Sequence, residues 1–172
     1  DITVSDILRS AEKCKKFGII PEYSFMVGFP GETYDDVYMT IRVMEKLREI
    51  NPESHLSLFI YTPYPGTPLY ELSLKHGLRE PRSLEEWAFF SYDVAVSPWL
   101  TKEYGEMLEE LCFITWLVHH PSLKHKVSKK SLGVLLEALG KIESIRWKTR
   151  FFKLPLEPQI IKWLRKYEKL VR

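Results

Sequence analysis

Cysteine is scarce in this chain: Cys14 and Cys112 are the only two among 172 residues. Residues so far apart fit neither a zinc site nor the spacing of an iron–sulfur cluster. Each sits in an apolar helical pattern, which reads as a packed, reduced thiol and a cytosolic (cytoplasmic) origin. Glycine is also sparse, at 8 residues, and the sequence contains no glycine-rich phosphate loop and no nucleophile elbow. Long hydrophobic runs are missing. The longest, Leu111 to Val118, is too short to cross a bilayer. No secretory signal precedes the first helical pattern, and Asp1 is not a natural initiator. The chain is therefore expected to begin inside a longer protein.

What remains describes a globular protein. Hydrophobic residues make up 45% and charged residues 28%, and the length suffices for a proper core. Charge is segregated along the chain. Residues 1–118 carry 11 Lys and Arg against 19 Asp and Glu, net −8; residues 119–172 carry 14 against 4, net +10; together they give the +2 of the whole. All five tryptophans, Trp87, Trp99, Trp116, Trp147 and Trp163, fall in the second half.

Hydrophobic spacing orders the first half as helix, strand, helix, strand. Ser5 reads as the cap of a helix carrying Ile7, Leu8, Ala11 and Cys14 on one stripe, stopped at Gly18. Residues 20–27 read as a strand. A second helix runs from Tyr34 to Ile50, capped by Thr33, with Val37, Ile41, Met44, Leu47 and Ile50 on its apolar stripe. His55 to Tyr61 reads as the next strand. This order predicts parallel pairing, and two parallel strands alone are too few for a stable sheet, which points to a truncated unit. Thereafter the chain reads as helical. A short helix spans Pro68 to His76. A capping box, Ser83-Leu84-Glu85-Glu86, opens an aromatic helix through Trp87, Phe89 and Phe90. Thr101 caps a helix to about His119, and residues 131–149 and 156–170 complete the region.

Two proline–glycine turns close the two strands. The first is Gly28-Phe29-Pro30-Gly31-Glu32-Thr33 and the second is Tyr61-Thr62-Pro63-Tyr64-Pro65-Gly66-Thr67-Pro68; Gly31 and Gly66 are 35 positions apart. Gly28 has no side chain, so a flat ligand could lie close to the backbone there. Glu32 could read a hydroxyl or an amine, or serve only the helix N-terminus. The prolines of the second turn stiffen it and leave carbonyls without neighbouring N–H groups, open to a donor such as an adenine amino group. Each turn taken alone is better explained as a tight structural connection.

Taken together, Gly-Phe-Pro-Gly-Glu-Thr, a helix, and a strand ending in Tyr-Pro-Gly-Thr-Pro-Leu-Tyr closely resemble the second half of the radical S-adenosylmethionine barrel. The likeness is greatest to the branch that often carries an N-terminal cobalamin-binding domain, and methylthiotransferases show similar turns. It covers residues 1 to about 76 and continues weakly from Trp87 to Leu100, through a Pro-Trp-Leu-Thr sequence. The resemblance implies an α/β fold: the C-terminal part of a partial (β/α)6 TIM-like barrel over residues 1–78, followed by a mostly α-helical extension over residues 79–172. It implies that S-adenosylmethionine lies across the carboxyl edge of the strands, with Met26, Gly28, Phe29, Pro30, Ile60, Tyr61 and Thr62 on the adenine side and Tyr64 and Pro65 toward substrate. The family's strand pattern departs at Ser24, and its final glutamate falls on Gly31 rather than Glu32.

The family's Cys-x-x-x-Cys-x-x-Cys motif, which holds a 4Fe-4S cluster, is absent. The expectation is therefore a C-terminal fragment of an oxidoreductase or methyltransferase, inactive alone, whose cluster ligands belong to a missing N-terminal part. The intact enzyme would cleave the cofactor to a 5′-deoxyadenosyl radical, and with cobalamin a methyl transfer or cyclisation could follow. Two other classes stay open: a non-catalytic helical module whose basic residues 119–172 engage RNA or an anionic membrane, and an ordinary α/β enzyme with structural proline turns. His119 and His120 read as helix-end residues rather than metal ligands, and His55, His76 and His125 lack supporting partners.

Overall fold

A computed structural model describes residues 2–88, 97–119 and 130–150. Its first helix, α1 (Val4–Lys16), begins one cap earlier than its sequence implies. Thr3, not Ser5, is the N-cap: its hydroxyl accepts from the Asp6 N–H at 3.2 Å, and the Asp6 carboxylate accepts from the Thr3 N–H at 3.1 Å. The reason is positional. Asp6 stands three residues after Thr3 and completes a reciprocal box, whereas Leu8 stands three after Ser5 and cannot. Gly18, with φ +66°, ends the helix, and the Ile19 N–H returns to the Cys14 carbonyl at 2.8 Å.

Strand β1 (Glu22–Val27) begins after Pro21, which has no N–H to give. The Pro21 carbonyl instead accepts from the His55 N–H at 2.9 Å. Helix α2 (Tyr34–Ile50) carries the same box as α1, with Thr33 and Asp36. Val37, Ile41, Met44 and Leu47 of its stripe are buried. Asn51 ends it, and β2 (His55–Ile60) follows.

The strands pair in parallel from Glu22 opposite His55 to Val27 opposite Ile60. They form the one sheet among the described residues. Tyr23, Phe25, Val27, Leu56 and Leu58 alternate onto the covered face and join the core with Ala11 and the α2 stripe. Glu22, Ser24, Met26 and Phe59 lie on the opposite face and are exposed.

Helix α3 (Pro68–Lys75) is capped by Thr67 with proline at its first position, and α4 (Leu84–Ala88) follows. The α4 box is half formed: Ser83 Oγ accepts from the Glu86 N–H at 3.3 Å, but the Glu86 carboxylate turns to the Arg82 N–H at 2.8 Å. Phe89, Phe90 and Tyr92 lie outside the described residues, as do His120, His125 and the expected helix over 156–170.

Helix α5 (Lys102–His119) lies against β2, and α6 (Lys130–Thr149) packs on both α5 and α2. Leu108, Leu111 and Trp147 thereby enter the same apolar cluster as Val27 and Leu47. Each such fully buried side chain contributes about 1.5–3 kcal/mol. Buried Arg146 of α6 bonds Glu110 of α5 at 2.7 Å. No helix among the described residues is long and apolar enough to cross a membrane.

Candidate functional site at the carboxyl end of the sheet

The parallel pairing brings both turns to one edge. Tyr61 donates its N–H to the Val27 carbonyl at 2.8 Å, extending the ladder one residue into the second turn. The rings of Phe29 and Tyr61 meet with centroids 4.8 Å apart. Residues 28–30 and 60–62 are thus neighbours, as the two motifs predict.

Their surroundings differ sharply. Gly28, Pro30, Tyr61 and Thr62 are buried, Phe29 and Ile60 are half-buried, and Met26, Tyr64 and Pro65 are exposed. Gly28 takes φ +83°, a left-handed conformation that suits glycine. A Cβ there would stand 3.2 Å from Ile60, 3.3 Å from Leu108 and 3.5 Å from Leu100. The space that could take a flat ligand is filled by the chain's own side chains. By contrast, nothing lies within 4 Å of the same position on Gly31 or Gly66.

The polar groups of Gly28 are also engaged. Its N–H donates to the Glu32 carboxylate, and its carbonyl accepts Trp99 Nε1–H at 2.9 Å. Glu32 therefore braces its own turn. Burial raises its pKa above the usual glutamate range, outweighing the Gly28 and Phe29 N–H groups that favour the anion. The nearby phenol of Tyr104 is pushed up by burial and by the Glu32 charge. Tyr34 stacks edge-on against Tyr104 at 4.8 Å, and Trp147 stands 6.1 Å from Tyr104.

Trp99 and Tyr104 are the residues that local sequence reading misses. Trp99 was visible only as the centre of Pro-Trp-Leu-Thr, and nothing local ties it to a turn 71 positions earlier. Its ring lies 6.3 Å from that of Tyr61. The buried hydroxyls of Tyr61, Ser97 and Tyr104 have no hydrogen-bond partner among the described residues. Buried donors cost free energy when unpaired, so these are atoms that a polar ligand or water would satisfy.

The described residues hold no cluster of three or more His, Cys, Asp or Glu side chains able to bind a metal ion. Cys14 and Cys112 are free thiols, and burial pushes Cys112 up to about 12, far from a reactive thiolate. A cavity of about 510 Å³ between α2, α5 and α6, floored by Met44, Leu111 and Ile114, shares no lining residue with either turn.

A stretch of this chain is similar to part of a methyltransferase and of tRNA methylthiotransferases. An uncharacterised methyltransferase of Pyrococcus horikoshii is 38% identical over 77 residues, 45% of this chain and 16% of that protein. The tRNA-2-methylthio-N(6)-dimethylallyladenosine synthase of Pelagibacter ubique is 34% identical over 85 residues, 48% of this chain and 18% of the synthase. A threonylcarbamoyladenosine tRNA methylthiotransferase of Thermotoga maritima is 36% identical over 69 residues, 38% and 14% respectively. The chain thus spans less than a fifth of the length of these relatives. No family model and no solved structure matches it.

Proposed function

We propose that this chain is the C-terminal part of a radical S-adenosylmethionine enzyme and supplies the adenine-side edge of the cofactor site. The observation that carries this is the strand–helix–strand unit itself. Two parallel strands deliver Gly28-Phe29-Pro30 and Tyr61-Thr62-Pro63 to one edge, and methyltransferase and methylthiotransferase relatives match over 38–48% of the chain. In parallel α/β folds the carboxyl end of the strands is where ligands bind.

In this reading the strands are the last two of a partial (β/α)6 barrel, and the exposed face bearing Ser24, Met26 and Phe59 is the barrel interior. Met26 offers apolar surface to an adenine ring, and the backbone from Ile60 to Thr62 offers hydrogen-bonding groups. Gly28 and Pro30 shape the turn from beneath. Tyr64 and Pro65, exposed beyond the edge, face the substrate. The cofactor would supply a 5′-deoxyadenosyl radical when bound in the whole enzyme. The 4Fe-4S cluster that this chemistry requires finds no ligand set here, since two separated cysteines do not fit one. In this reading the chain alone is inactive, and use of cobalamin is a separate question that these residues do not address.

The decisive experiment reads the gene upstream of the Asp1 codon. A Cys-x-x-x-Cys-x-x-Cys motif in the same open frame is the expected result; a frame that extends upstream without one, or a start codon directly before Asp1, refutes the proposal. Titration of the chain with S-adenosylmethionine, RNA and anionic vesicles gives an independent test. Salt-sensitive binding to RNA or vesicles with none to the adenosyl ligand would favour the basic binding module instead.

A further inference from the structure

Gly28 is held at both of its peptide groups, by Glu32 of its own turn and by Trp99, 71 positions away. Its N–H is taken by Glu32, four residues on, and its carbonyl by the Trp99 indole N–H at 2.9 Å. Leu100 and Leu108 close the space over its Cα. The Trp99 ring also extends the Phe29–Tyr61 stack, so it touches both turns. A glycine at φ +83° has many other conformations open to it. The turn's own hydrogen bond, from the Glu32 N–H to the Phe29 carbonyl at 3.1 Å, closes the loop without fixing the peptide between Val27 and Gly28.

We propose that Trp99 is a positioning residue for the Gly28–Thr33 turn and that Glu32 is its counterpart. Together they clamp Gly28, so the short stretch Ser97–Thr101 ahead of α5 sets the shape of the sheet's carboxyl edge. The role of that edge as the adenosyl-facing surface rests on the function proposed above; the clamp itself does not. Two properties of the site support a positioning role rather than simple core filling. Trp99 contributes its polar atom to a backbone carbonyl of the turn, and Glu32 spends a half-buried carboxylate on the N–H of the same residue. Neither arrangement is needed to bury apolar surface, and the carboxylate is costly to bury.

The test uses the full 172-residue chain with Trp99→Phe, which keeps an aromatic ring but removes the donor, and Glu32→Gln, which keeps one acceptor oxygen. Amide hydrogen exchange is followed along the chain, and urea denaturation reports global stability. Trp99→Phe should speed exchange of the Gly28, Phe29 and Gly31 amides by about tenfold, the loss of one net hydrogen bond. Exchange in the paired strands should change little. The Trp99 indole N–H resonance should also shift in Glu32→Gln, because the two groups bond opposite ends of one residue, and simple packing would not move it. Exchange that rises evenly across α1, β1 and α2, or that does not change at the turn, overturns the clamp. Binding of S-adenosylmethionine, measured on the same variants, should weaken in Trp99→Phe. Absence of binding in the unsubstituted chain counts against the cofactor reading and leaves the clamp to be decided by exchange.

Discussion

Met26 stands directly opposite Phe59 in the parallel ladder, and both side chains are about half exposed, at 53% and 49%. Parallel strands are ordinarily covered on both faces, and here, among the described residues, helices cover the face carrying Val27, Leu56 and Leu58 and leave Met26 and Phe59 exposed. Apolar surface left open on a strand pair favours association. The purified chain is therefore expected to self-associate as concentration rises, and the double variant Met26→Ser, Phe59→Ser to shift toward monomer with little change in urea midpoint. Light scattering checks this; a monodisperse monomer of the unsubstituted chain would sink the idea that this face needs a cover.

Gly28 and Gly31 lie three residues apart with nearly the same φ, +83° and +81°, yet their substitutions should differ. Alanine at Gly31 meets open space and bears only the left-handed strain, about 1–2 kcal/mol. Alanine at Gly28 bears that strain and also presses on Ile60, Leu108 and Leu100 at 3.2, 3.3 and 3.5 Å. Overpacking adds about 1–3 kcal/mol. Urea denaturation of the two variants should show Gly28→Ala as the more costly; equal losses would mean that Leu100 and Leu108 yield freely.

Much of the frame was legible because its signals are local. The Thr33 cap and the Val37, Ile41, Met44 and Leu47 stripe define α2 from spacing alone, and the order of elements implies the parallel pair. The start of α1 was misread because Ser5 and Thr3 are both good caps. Only the position of Asp6 three residues after Thr3 separates them. The candidate edge was legible in its backbone and not in its cover. Gly28 reads as an open approach for a ligand until Leu100 and Leu108 are brought over it. Contacts made across some seventy positions by single side chains leave no periodic trace.

The ion pair between Arg146 and Glu110 joins α6 to α5 at 2.7 Å, with the arginine side chain 8% exposed and the glutamate 17%. Removing one partner of so enclosed a pair leaves the other charge short of compensation, at about 3 kcal/mol. Glu110→Ala should therefore destabilise the chain far more than Asp35→Ala, whose 2.6 Å pair with Arg150 is open to solvent on both sides. Urea midpoints of the two variants make the comparison. A loss from Asp35→Ala as large as that from Glu110→Ala would show that burial of the pair does not decide its worth.

Glu32 gives the stability of this chain an uncommon pH dependence. Its pKa in the fold is raised above 4.5, so the folded state holds its proton more tightly than the unfolded chain. The contribution of that protonated form is complete below 4.5 and is lost as pH rises through the raised value. Asp6 and Asp36 act in the opposite sense. Hydrogen bonds from Thr3 and Thr33 lower their pKa values, so their contribution is present above 3.8 and lost as pH falls through the lowered values. Asp6, remote from the turn, cancels in the difference between Glu32→Gln and parent, whereas the Asp36 charge helps to raise the Glu32 pKa and is part of what the variant removes. That difference should move in favour of Glu32→Gln as pH climbs from 4.5 through the raised Glu32 value and then level off, since the amide keeps an acceptor without a charge to bury. Glu32→Ala should instead lose about 1–3 kcal/mol at neutral pH by orphaning the Gly28 N–H. Urea denaturation at several pH values tests both; a Glu32→Gln difference that stays flat with pH would show that the carboxylate is not desolvated as its position implies.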